Sequence, residues 1–503
     1  MSFNPVILWT DALTYLLVAM VFFIIGYIRR REHLLMPWQR VGHSASGMSA
    51  LTVLLFFLII GLLDTVHFRP ALDHKNNQGE TVYSVEVLSL LDLLAMPLRT
   101  QVEKTYSAPL AAHLYAKETI EQPDGKQIRT FARLAFGGAH LQDPENDRVA
   151  DITERAVKGL MYGFLVWCTI SLCLILLLSR RNQQNFAQCV AAIWQRNTEV
   201  PWHAILITLL VLSLLIGCVT ALVGHYHVLG TDKVGQDILY QSLKSIRVAL
   251  VIGTLTTLIM LPFALLLGIM AGYFRGWVDD VIQYIYTTLN SIPSVLLIAA
   301  AVLMMQVYIE THPDLFDTVA ARADLRLLFL CMILGITSWT SLCRLLRGEA
   351  LKLRELEYIQ AAHAFGVSHW RIVSRHILPN VMHIVLIATV MDFSGLVLAE
   401  AVLSYVGVGV DPSMISFGTM INAARLEMAR EPMVWWALLA AFSFMFTLVL
   451  SANLFADAVQ DALDPRTRTW RRNYFFQRSN EKEKNPPNTP SESAASARSS
   501  SHS

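Results

Sequence analysis

Charged residues are scarce in this sequence. They make up 16% of 503 residues, whereas hydrophobic residues make up 54%. A water-soluble surface needs a larger charged fraction, so this composition excludes an ordinary soluble protein. The formal net charge is only +1, which lacks the basic excess of a nucleic-acid-binding protein, and nucleic acid is not an expected partner.

The sequence also lacks the common motifs of catalysis. No G-x-x-x-x-G-K-[ST] loop occurs, so a P-loop for nucleotide phosphates is excluded. "GHSASG" from Gly42 places its second glycine one residue too late for a G-x-S-x-G elbow. His225 and His227 have no further ligand at metal-binding spacing and are interpreted as a surface pair. We therefore expect no enzyme activity, metal or cofactor in this chain alone.

Cysteines are few, and all six lie in or next to hydrophobic runs: Cys168, Cys173, Cys189, Cys218, Cys331 and Cys343. None lies in the polar segment 64–158, so disulfides are not expected to stabilise that segment.

Long hydrophobic runs, in contrast, are abundant. A helix of about 20 apolar residues crosses a bilayer with every backbone group satisfied. Nine runs have about this length: 6–28, 47–63, 159–179, 202–224, 248–273, 284–308, 325–343, 381–405 and 435–456. The sequence therefore predicts an all-α polytopic membrane protein with about nine transmembrane helices.

Arginines predict its orientation, because Lys and Arg gather in cytoplasmic loops. Arg29, Arg30 and Arg31 follow the first run, and Arg180 and Arg181 follow the third. The N-terminus is then outside and the C-terminus in the cytoplasm. Three cations on the outer side depart from this pattern: Lys233, Lys244 and Arg247.

Five regions are expected. Residues 1–63 hold two helices, 64–158 form a small α+β extracytoplasmic domain, and 159–201 hold a third helix and a loop. Residues 202–466 form a core of six helices, and the polar tail 467–503 is disordered. The extracytoplasmic domain is either a docking platform or a tolerated insertion.

Three patterns describe that domain. "VYSVEVLSLLDLLAMPL" is typical of one surface or interfacial helix. "YAKETIEQPDGKQIRTFARL" alternates on both sides of Pro123, Asp124 and Gly125 and predicts a hairpin. "DPENDRVADITERAV" predicts a helix that leads into the membrane.

The stretch 358–380 predicts a helix, a glycine turn and a second helix on the cytoplasmic side. Residues 351–362 are good helix formers, and Gly366 supplies the left-handed position that ends a helix. Ser368 is a suitable N-cap, with Val367 and Ile372 as a hydrophobic staple. Pro379, with Asn380, is expected to close the unit. It either docks a partner in a groove or packs only on its own bundle.

These residues resemble a known motif. Ala361, Ala362 and Gly366, followed by Leu378 and Pro379, are similar to the E-A-A-x-x-x-G loop with a downstream L-P that marks permease subunits of bacterial ABC importers. Gln360 stands at the Glu position and His376 at an Ile position.

Five other segments resemble the C-type permease of the peptide/nickel importers: "LGTDKVGQDILYQSL", "GYFRGWVDD", "SIPSVLL", "LAEAVLSYVGVGV" and "DALDPR". The resemblance covers residues 202–466, and the first three hydrophobic runs are outside it.

The resemblance implies a set of partners in the bacterial inner membrane. They are a second permease, two cytoplasmic ATPases that hydrolyse ATP, a periplasmic solute-binding protein and membrane lipid. The ATPase-coupling loop would comprise Gln360, Ala361, Ala362, Gly366, Ser368, Leu378 and Pro379. Peptides are the preferred cargo, with nickel or another small solute as alternatives.

Two carboxylates lie in the eighth run. Asp392 and Glu400 are two helical turns apart and would line the translocation path, or else Glu400 lies at the outer interface and Asp392 pairs with a neighbouring helix. Two rival classes are a secondary transporter, which needs internal repeats, and an intramembrane enzyme, which needs facing catalytic groups. Neither pattern is evident.

Overall fold

The computed structural model describes residues 3–75, 81–121, 127–183, 185–196, 198–312 and 318–463. Helices dominate it, and their bounds are as follows: α1 Trp9–Arg29, α2 Glu32–His43, α3 Ala45–Thr65, α4 Leu90–Leu94, α5 Met96–Thr100, α6 Pro144–Asn182, α7 Phe186–Trp194, α8 Trp202–Val223, α9 Ile238–Phe274, α10 Trp277–Ser291, α11 Ser294–Thr311, α12 Val319–Arg354, α13 Glu357–Ala364, α14 His369–Ile372, α15 Leu378–Tyr405, α16 Phe417–Glu427 and α17 Trp436–Leu463.

Within the described ranges, eight helical segments are long and apolar enough to cross a membrane. They are α1, α3, α6, α8, α9, α11, α17 and the continuous segment His369–Tyr405. The all-α polytopic architecture is thereby confirmed. The run 325–343 lies in α12, which is not among the eight and packs lengthwise against α9.

One predicted span is divided. The run 284–308 is not a single helix, because α10 ends at Ser291 and α11 begins at Ser294. Pro293, the N-cap of α11, has no N–H to continue the hydrogen-bond ladder of α10.

The strands form a small polar domain, defined here as residues 66–143 together with β1. β1 Phe3–Val6 pairs antiparallel with β2 His67–Lys75, which also pairs with β3 Thr81–Tyr83 and β4 Leu88–Ser89. β5 His113–Glu121 and β6 Gln127–Arg133 form the predicted hairpin, and its turn lies outside the described residues. The small α+β region is thus confirmed as a fold.

The other two patterns of this domain fare differently. The prediction of one interfacial helix from "VYSVEVLSLLDLLAMPL" is wrong, because the segment contains β3, β4 and the short helices α4 and α5. Pro97 begins α5, and Leu91 and Leu98 are buried rather than exposed to an interface. The predicted helix before the third run is confirmed as the first part of α6, which begins at Pro144.

Close glycine packing joins α6 to α8. A Cβ on Gly163 would collide with the carbonyl oxygen of Ser213, and one on Gly217 would collide with that of Gly159. Gly159 and Gly163 form a G-x-x-x-G pair, which lets two backbones approach closely in a membrane. The third hydrophobic run therefore packs directly on the first helix of the core.

Buried ion pairs join the N-terminal helices to α9 and α12. Arg247 Nη2 of α9 lies 2.7 Å from Asp11 Oδ1 of α1 and 3.6 Å from Asp324 Oδ1 of α12. One turn away, Lys244 Nζ lies 2.7 Å from Asp64 Oδ1 of α3 and 3.0 Å from Asp92 Oδ1 of α4. Lys244 and Arg247, which depart from the arginine pattern, are the cations of this network.

Candidate coupling surface

The polar domain and the 358–380 unit lie at opposite ends of α9. Asp237, which caps the start of α9, contacts the polar domain through His227. Tyr273, in the last turn of α9, contacts His369 of α14. α9 is 37 residues long, about 56 Å at 1.5 Å per residue, which is more than the hydrocarbon thickness of a bilayer. Pro262 lies inside it.

The first helix of the unit is shorter than predicted. The sequence indicates one helix over 351–362, whereas α12 ends at Arg354 and α13 starts at Glu357. Gln360 Nε2 donates to the carbonyl oxygen of Glu355 at 3.2 Å, within the bend between the two helices. The departure from the usual Glu thus supplies a donor to the bend.

Gly366 ends α13 in the predicted left-handed conformation, with φ +74°. Its N–H donates to the carbonyl oxygen of His363 at 3.0 Å, and the N–H of Val367 donates to that of Ala362 at 3.1 Å. These two bonds are those of a Schellman motif. No atom of the described residues lies within 4 Å of the position that a Cβ would take at Gly366. A side chain at this position would therefore have enough space, but it would disfavour the positive φ of the backbone.

Ser368 occupies the N-cap of α14 with an extended backbone, but its side chain caps no N–H of the described residues. Its carbonyl oxygen instead accepts from the N–H groups of Arg371 at 2.9 Å and Ile372 at 3.1 Å. Val367 and Ile372 lie in the same hydrophobic cluster, as the staple requires.

Pro379 does not close the unit, so that prediction is wrong. A π-turn, Val373–Ile377, follows α14 and continues into α15, where Pro379 stands in the first turn. A π-turn widens the helix, and such widening is a known way to accommodate a proline ring. Asn380 Nδ2 donates to the carbonyl oxygen of His376 at 2.7 Å and to Tyr358 Oη at 3.2 Å, which ties the two arms together. The unit and the following span are therefore one continuous element.

The unit has a buried base and an exposed rim. Ile359 is 2% exposed, and Ile372 and Ile377 are fully buried with residues of α9, α10 and α12. Phe365 is 87% exposed and Trp370 73% exposed. Gln360, Ala361, Gly366, Ser368 and Pro379 are exposed, while Ala362 and Leu378 are half-buried.

A cleft of about 440 Å³ separates the unit from the end of α9, lined by Tyr273, Phe274, Arg275, Arg354, Glu355, Ile359, Gln360, His363 and His369. Tyr273 Oη lies 2.8 Å from His369 Nδ1, and Arg354 Nη1 donates to the carbonyl oxygen of Tyr273 at 2.7 Å. The second helix of the unit, α14, and the end of α12 therefore contact the same residue of α9.

The two carboxylates of α15 lie in different surroundings. Glu400 is 1% exposed, and its Oε1 accepts from Ser404 Oγ at 2.7 Å and Ser416 Oγ at 2.8 Å, so it connects α15 to α16. Asp392 is half-buried and makes no hydrogen bond or ion pair with the part of the chain that the structure describes. Whether either lines a path stays a prediction.

At the opposite end, sequence reasoning missed a buried carboxylate. Glu103 accepts from the N–H groups of Ala135, Phe136 and Gly137 at 2.9, 2.8 and 3.1 Å. Its Oε1 lies 3.4 Å from His227 Nε2, and His227 Nδ1 lies 2.8 Å from Asp237 Oδ2. The interpretation of His227 as a surface residue is wrong, because it is 2% exposed.

The pKa values of Glu103 and His227 are both shifted in the direction that favours the charged form of the side chain. Burial alone would raise the pKa of Glu103, but His227 and the three N–H groups lower it to about 2. Burial alone would lower the pKa of His227, but Asp237 and Glu103 raise it to about 9. An imidazolium between two carboxylates thus joins the polar domain to α9.

Further contacts surround this junction. Ser107 N–H donates to Thr231 Oγ1 at 2.7 Å, Trp436 Nε1 donates to the carbonyl oxygen of Thr231 at 3.1 Å, and Tyr106 Oη donates to Glu427 Oε1 at 3.2 Å. Thr231 belongs to the "LGTDKVGQD" segment, so the polar domain is bound to a segment that carries the family resemblance.

The fold and this unit define a class, a multi-pass membrane protein with an exposed helix-glycine-helix surface at one end. A family described as "binding-protein-dependent transport system inner membrane component" matches residues 264–469. The chain is 33% identical over 249 residues to the oligopeptide transport system permease protein OppC of Mycobacterium tuberculosis, which covers 50% of this chain and 79% of that protein. It is 33% identical over 243 residues to the glutathione transport system permease protein GsiD of Pectobacterium atrosepticum, which covers 48% and 74%.

A solved structure of the MetNI methionine ABC transporter, in inward-facing conformations, aligns with 45% of this chain and 98% of its own, at 15% identity and a TM-score of 0.35. From the sequence matches, the chain belongs to the binding-protein-dependent transport system inner membrane components. It is a multi-pass permease of the inner membrane, and the resemblance found in the sequence is confirmed.

Proposed function

We propose that this chain forms half of a translocation path for peptides or similar small solutes, in an ABC importer whose separate ATPase subunits hydrolyse ATP. The names of its relatives, which are peptide and glutathione permeases, support this cargo class. The absence of a P-loop in the sequence supports the assignment of ATP hydrolysis to a separate subunit.

The observation that carries the proposal is the exposed rim on a buried base in the 358–380 unit. Phe365 and Trp370 project from a turn whose base is fixed by Ile359, Ile372 and Ile377. An apolar rim on a rigid base suits a groove on a partner, and Ala361 lets the partner approach closely. The coupling residues are Gln360, Ala361, Ala362, Gly366, Ser368, Leu378 and Pro379.

Transmission follows from the continuity of this unit with α15. A partner that moves the unit moves the π-turn and α15 with it, because no loop intervenes. ATP binding to the ATPase would then bias two arrangements of the bundle, one open to each side. Asp392, which has no partner among the described residues, is the proposed path residue, and Glu400 has a supporting role.

Orientation and organisation are part of the proposal. The coupling unit and the C-terminus are cytoplasmic, whereas the polar domain and the N-terminus are outside. Residues 202–466 form the transport core, and residues 1–63, 64–158 and 159–201 form an added N-terminal part. A second permease and a periplasmic solute-binding protein complete the assembly with two ATPases.

The test is Gly366→Pro in the assembled transporter. Proline cannot adopt φ +74°, and it lacks the N–H that donates to His363, so the turn is lost while the spans are untouched. We expect the ATPase activity stimulated by the binding protein, and the uptake, to fall at least tenfold with normal amounts of membrane protein. The matched control is Gly348→Ala in α12, where no atom of the described chain lies within 4 Å of the added Cβ. Wild-type coupling in Gly366→Pro would refute the docking assignment.

Cargo is tested separately. Ligand identified on the cognate solute-binding protein should be a peptide, and it should stimulate ATPase activity in the reconstituted complex. A metal ion as sole ligand would refute the peptide assignment and leave the coupling surface intact.

A further inference from the structure

The short helix α7 has an exposed face without charge. Cys189 and Ile193 are buried where α7 contacts α6 and α8. The adjoining face carries Phe186, Val190 and Trp194 at intervals of four residues, and Trp194 is 88% exposed. Exposed apolar area of this kind is unfavourable in water, so some apolar environment is expected to cover it.

This face is grooved. A shallow groove of about 500 Å³ runs along α7, lined by Phe186, Ala187, Val190, Ala191, Trp194 and Gln195. Among these lining residues the polar one is Gln195, which lies at one end. An open groove whose lining is apolar except at one end suits a hydrocarbon chain better than a polar ligand.

The neighbouring spans fix the depth of α7. Only three residues separate it from the end of α6, which limits that distance to about 14 Å even in an extended chain. Seven residues separate it from α8, which re-enters the membrane at Trp202. α7 therefore lies within about one headgroup layer of the membrane, at the end of the bundle opposite the polar domain.

Cations flank the groove. Arg180 and Arg181 lie in the last turn of α6, and Arg196 is the second residue after α7; all three are exposed. None of the three forms an ion pair with any residue in the described ranges. Unpaired arginines at headgroup depth attract anionic phosphates, and an exposed tryptophan favours the same layer.

We propose that α7 lies in the plane of the membrane interface and binds an anionic phospholipid, with an acyl chain in the groove and the phosphate near Arg180, Arg181 and Arg196. Such a helix is anchored by buried apolar area together with attraction to anionic lipid. The site is separate from the coupling surface and does not depend on the proposed transport function.

The test uses the full chain with its partner subunits, reconstituted in vesicles of zwitterionic or anionic phospholipid brominated on the acyl chains. Emission of Trp194 is taken as the difference between wild type and Trp194→Phe. We expect brominated lipid to quench it, with phosphatidylglycerol stronger than phosphatidylcholine at equal mole fraction. The control difference from Trp339→Phe should be unquenched, because Trp339 is 4% exposed.

Replacing the arginines separates the charge from the groove. Arg180→Gln, Arg181→Gln and Arg196→Gln should each lower the local preference for phosphatidylglycerol about fivefold. When the substitutions are combined, both lipids should quench Trp194 equally. The matched control, Lys117→Gln with Arg129→Gln on the polar domain, should leave it unchanged. Equal quenching by both lipids in wild type would overturn the anionic site. Trp194 emission that is unquenched in the complex but quenched in the isolated chain would also overturn it, because a protein subunit would then cover α7.

Discussion

Replacing Glu103 with glutamine should loosen the polar domain from the transport core. Glutamine has nearly the shape of the protonated carboxyl group but lacks the charge that three N–H groups and His227 stabilise. Glu103→Gln therefore removes one charge of a buried pair and leaves the packing almost unchanged. His227 remains next to Asp237, so the junction is weakened on one side only.

The magnitude follows from the pKa of Glu103. A pKa lowered from an ordinary 4.5 to about 2 corresponds to about 3 kcal/mol of stabilisation by the folded surroundings. This agrees with the cost of breaking a buried ion pair by removing one partner, about 3–5 kcal/mol. By comparison, Glu118 pairs with an exposed lysine, Lys104, and such surface pairs contribute about 0–1 kcal/mol.

Hydrogen exchange of the backbone amides of Ala135, Phe136 and Gly137 measures the effect directly. A loss of about 3 kcal/mol should lower their protection about 100-fold in Glu103→Gln. Glu118→Gln, the same substitution on the same domain, should change it less than about fivefold. Equal protection in wild type and Glu103→Gln would refute the assignment of Glu103 as a charged anchor.

The same junction should depend on pH in both directions. The pKa of Glu103 is lowered, so its stabilisation is complete above an ordinary carboxyl pKa and is lost as pH falls towards about 2. The pKa of His227 is raised, so its stabilisation is complete below an ordinary imidazole pKa and is lost as pH rises through about 9. Protection corrected for intrinsic exchange should therefore be flat from about pH 5 to 6.5, fall progressively between about pH 6.5 and 9, and level off above about pH 9. Protection that stays unchanged between about pH 6.5 and 9 would contradict the imidazolium.

Substitutions at three further positions test the packing of the membrane part. Gly163→Leu should lower thermal stability in detergent by about 1–3 kcal/mol, because its Cβ meets a backbone oxygen of α8, whereas Gly26→Leu on an open face of α1 should not. Asp11→Asn should cost about 3 kcal/mol, since it leaves a buried arginine partly unpaired, whereas exposed Asp147→Asn should be nearly neutral in the same melting assay. Glu400→Gln should keep normal uptake, because the amide oxygen still accepts hydrogen bonds from both serine hydroxyls, whereas Glu400→Ala should be less stable than wild type. Loss of uptake with normal stability in Glu400→Gln would instead favour a role for Glu400 in the translocation path.

Local features were predictable from the sequence. Membrane-crossing runs depend on composition over about 20 residues, and the turn at Gly366 depends on one residue that tolerates positive φ. The hairpin of β5 and β6 depends on alternation around a turn and was equally accessible.

Features that join distant parts of the chain were not predictable in this way. Glu103 and His227 are 124 residues apart, and nothing near either residue in the sequence indicates the other. The continuation through Pro379 was missed because a π-turn has no clear sequence signature, and proline is ordinarily a sign that a helix ends. The first two hydrophobic runs gave no sign of the ion pairs that join their helices, α1 and α3, to α9.

α9 contacts a histidine at each of its ends. His227, which precedes the helix, bonds to the N-cap residue Asp237, and His369 of α14 bonds to Tyr273 in the last turn. The polar domain and the coupling unit are thus attached to one helix, and a rotation imposed at one attachment reaches the other without crossing a loop. Pro262 removes one hydrogen bond from that helix and is where it bends most easily. The turn that contains Pro262 therefore lies on a direct route by which a movement at the coupling unit reaches the polar domain.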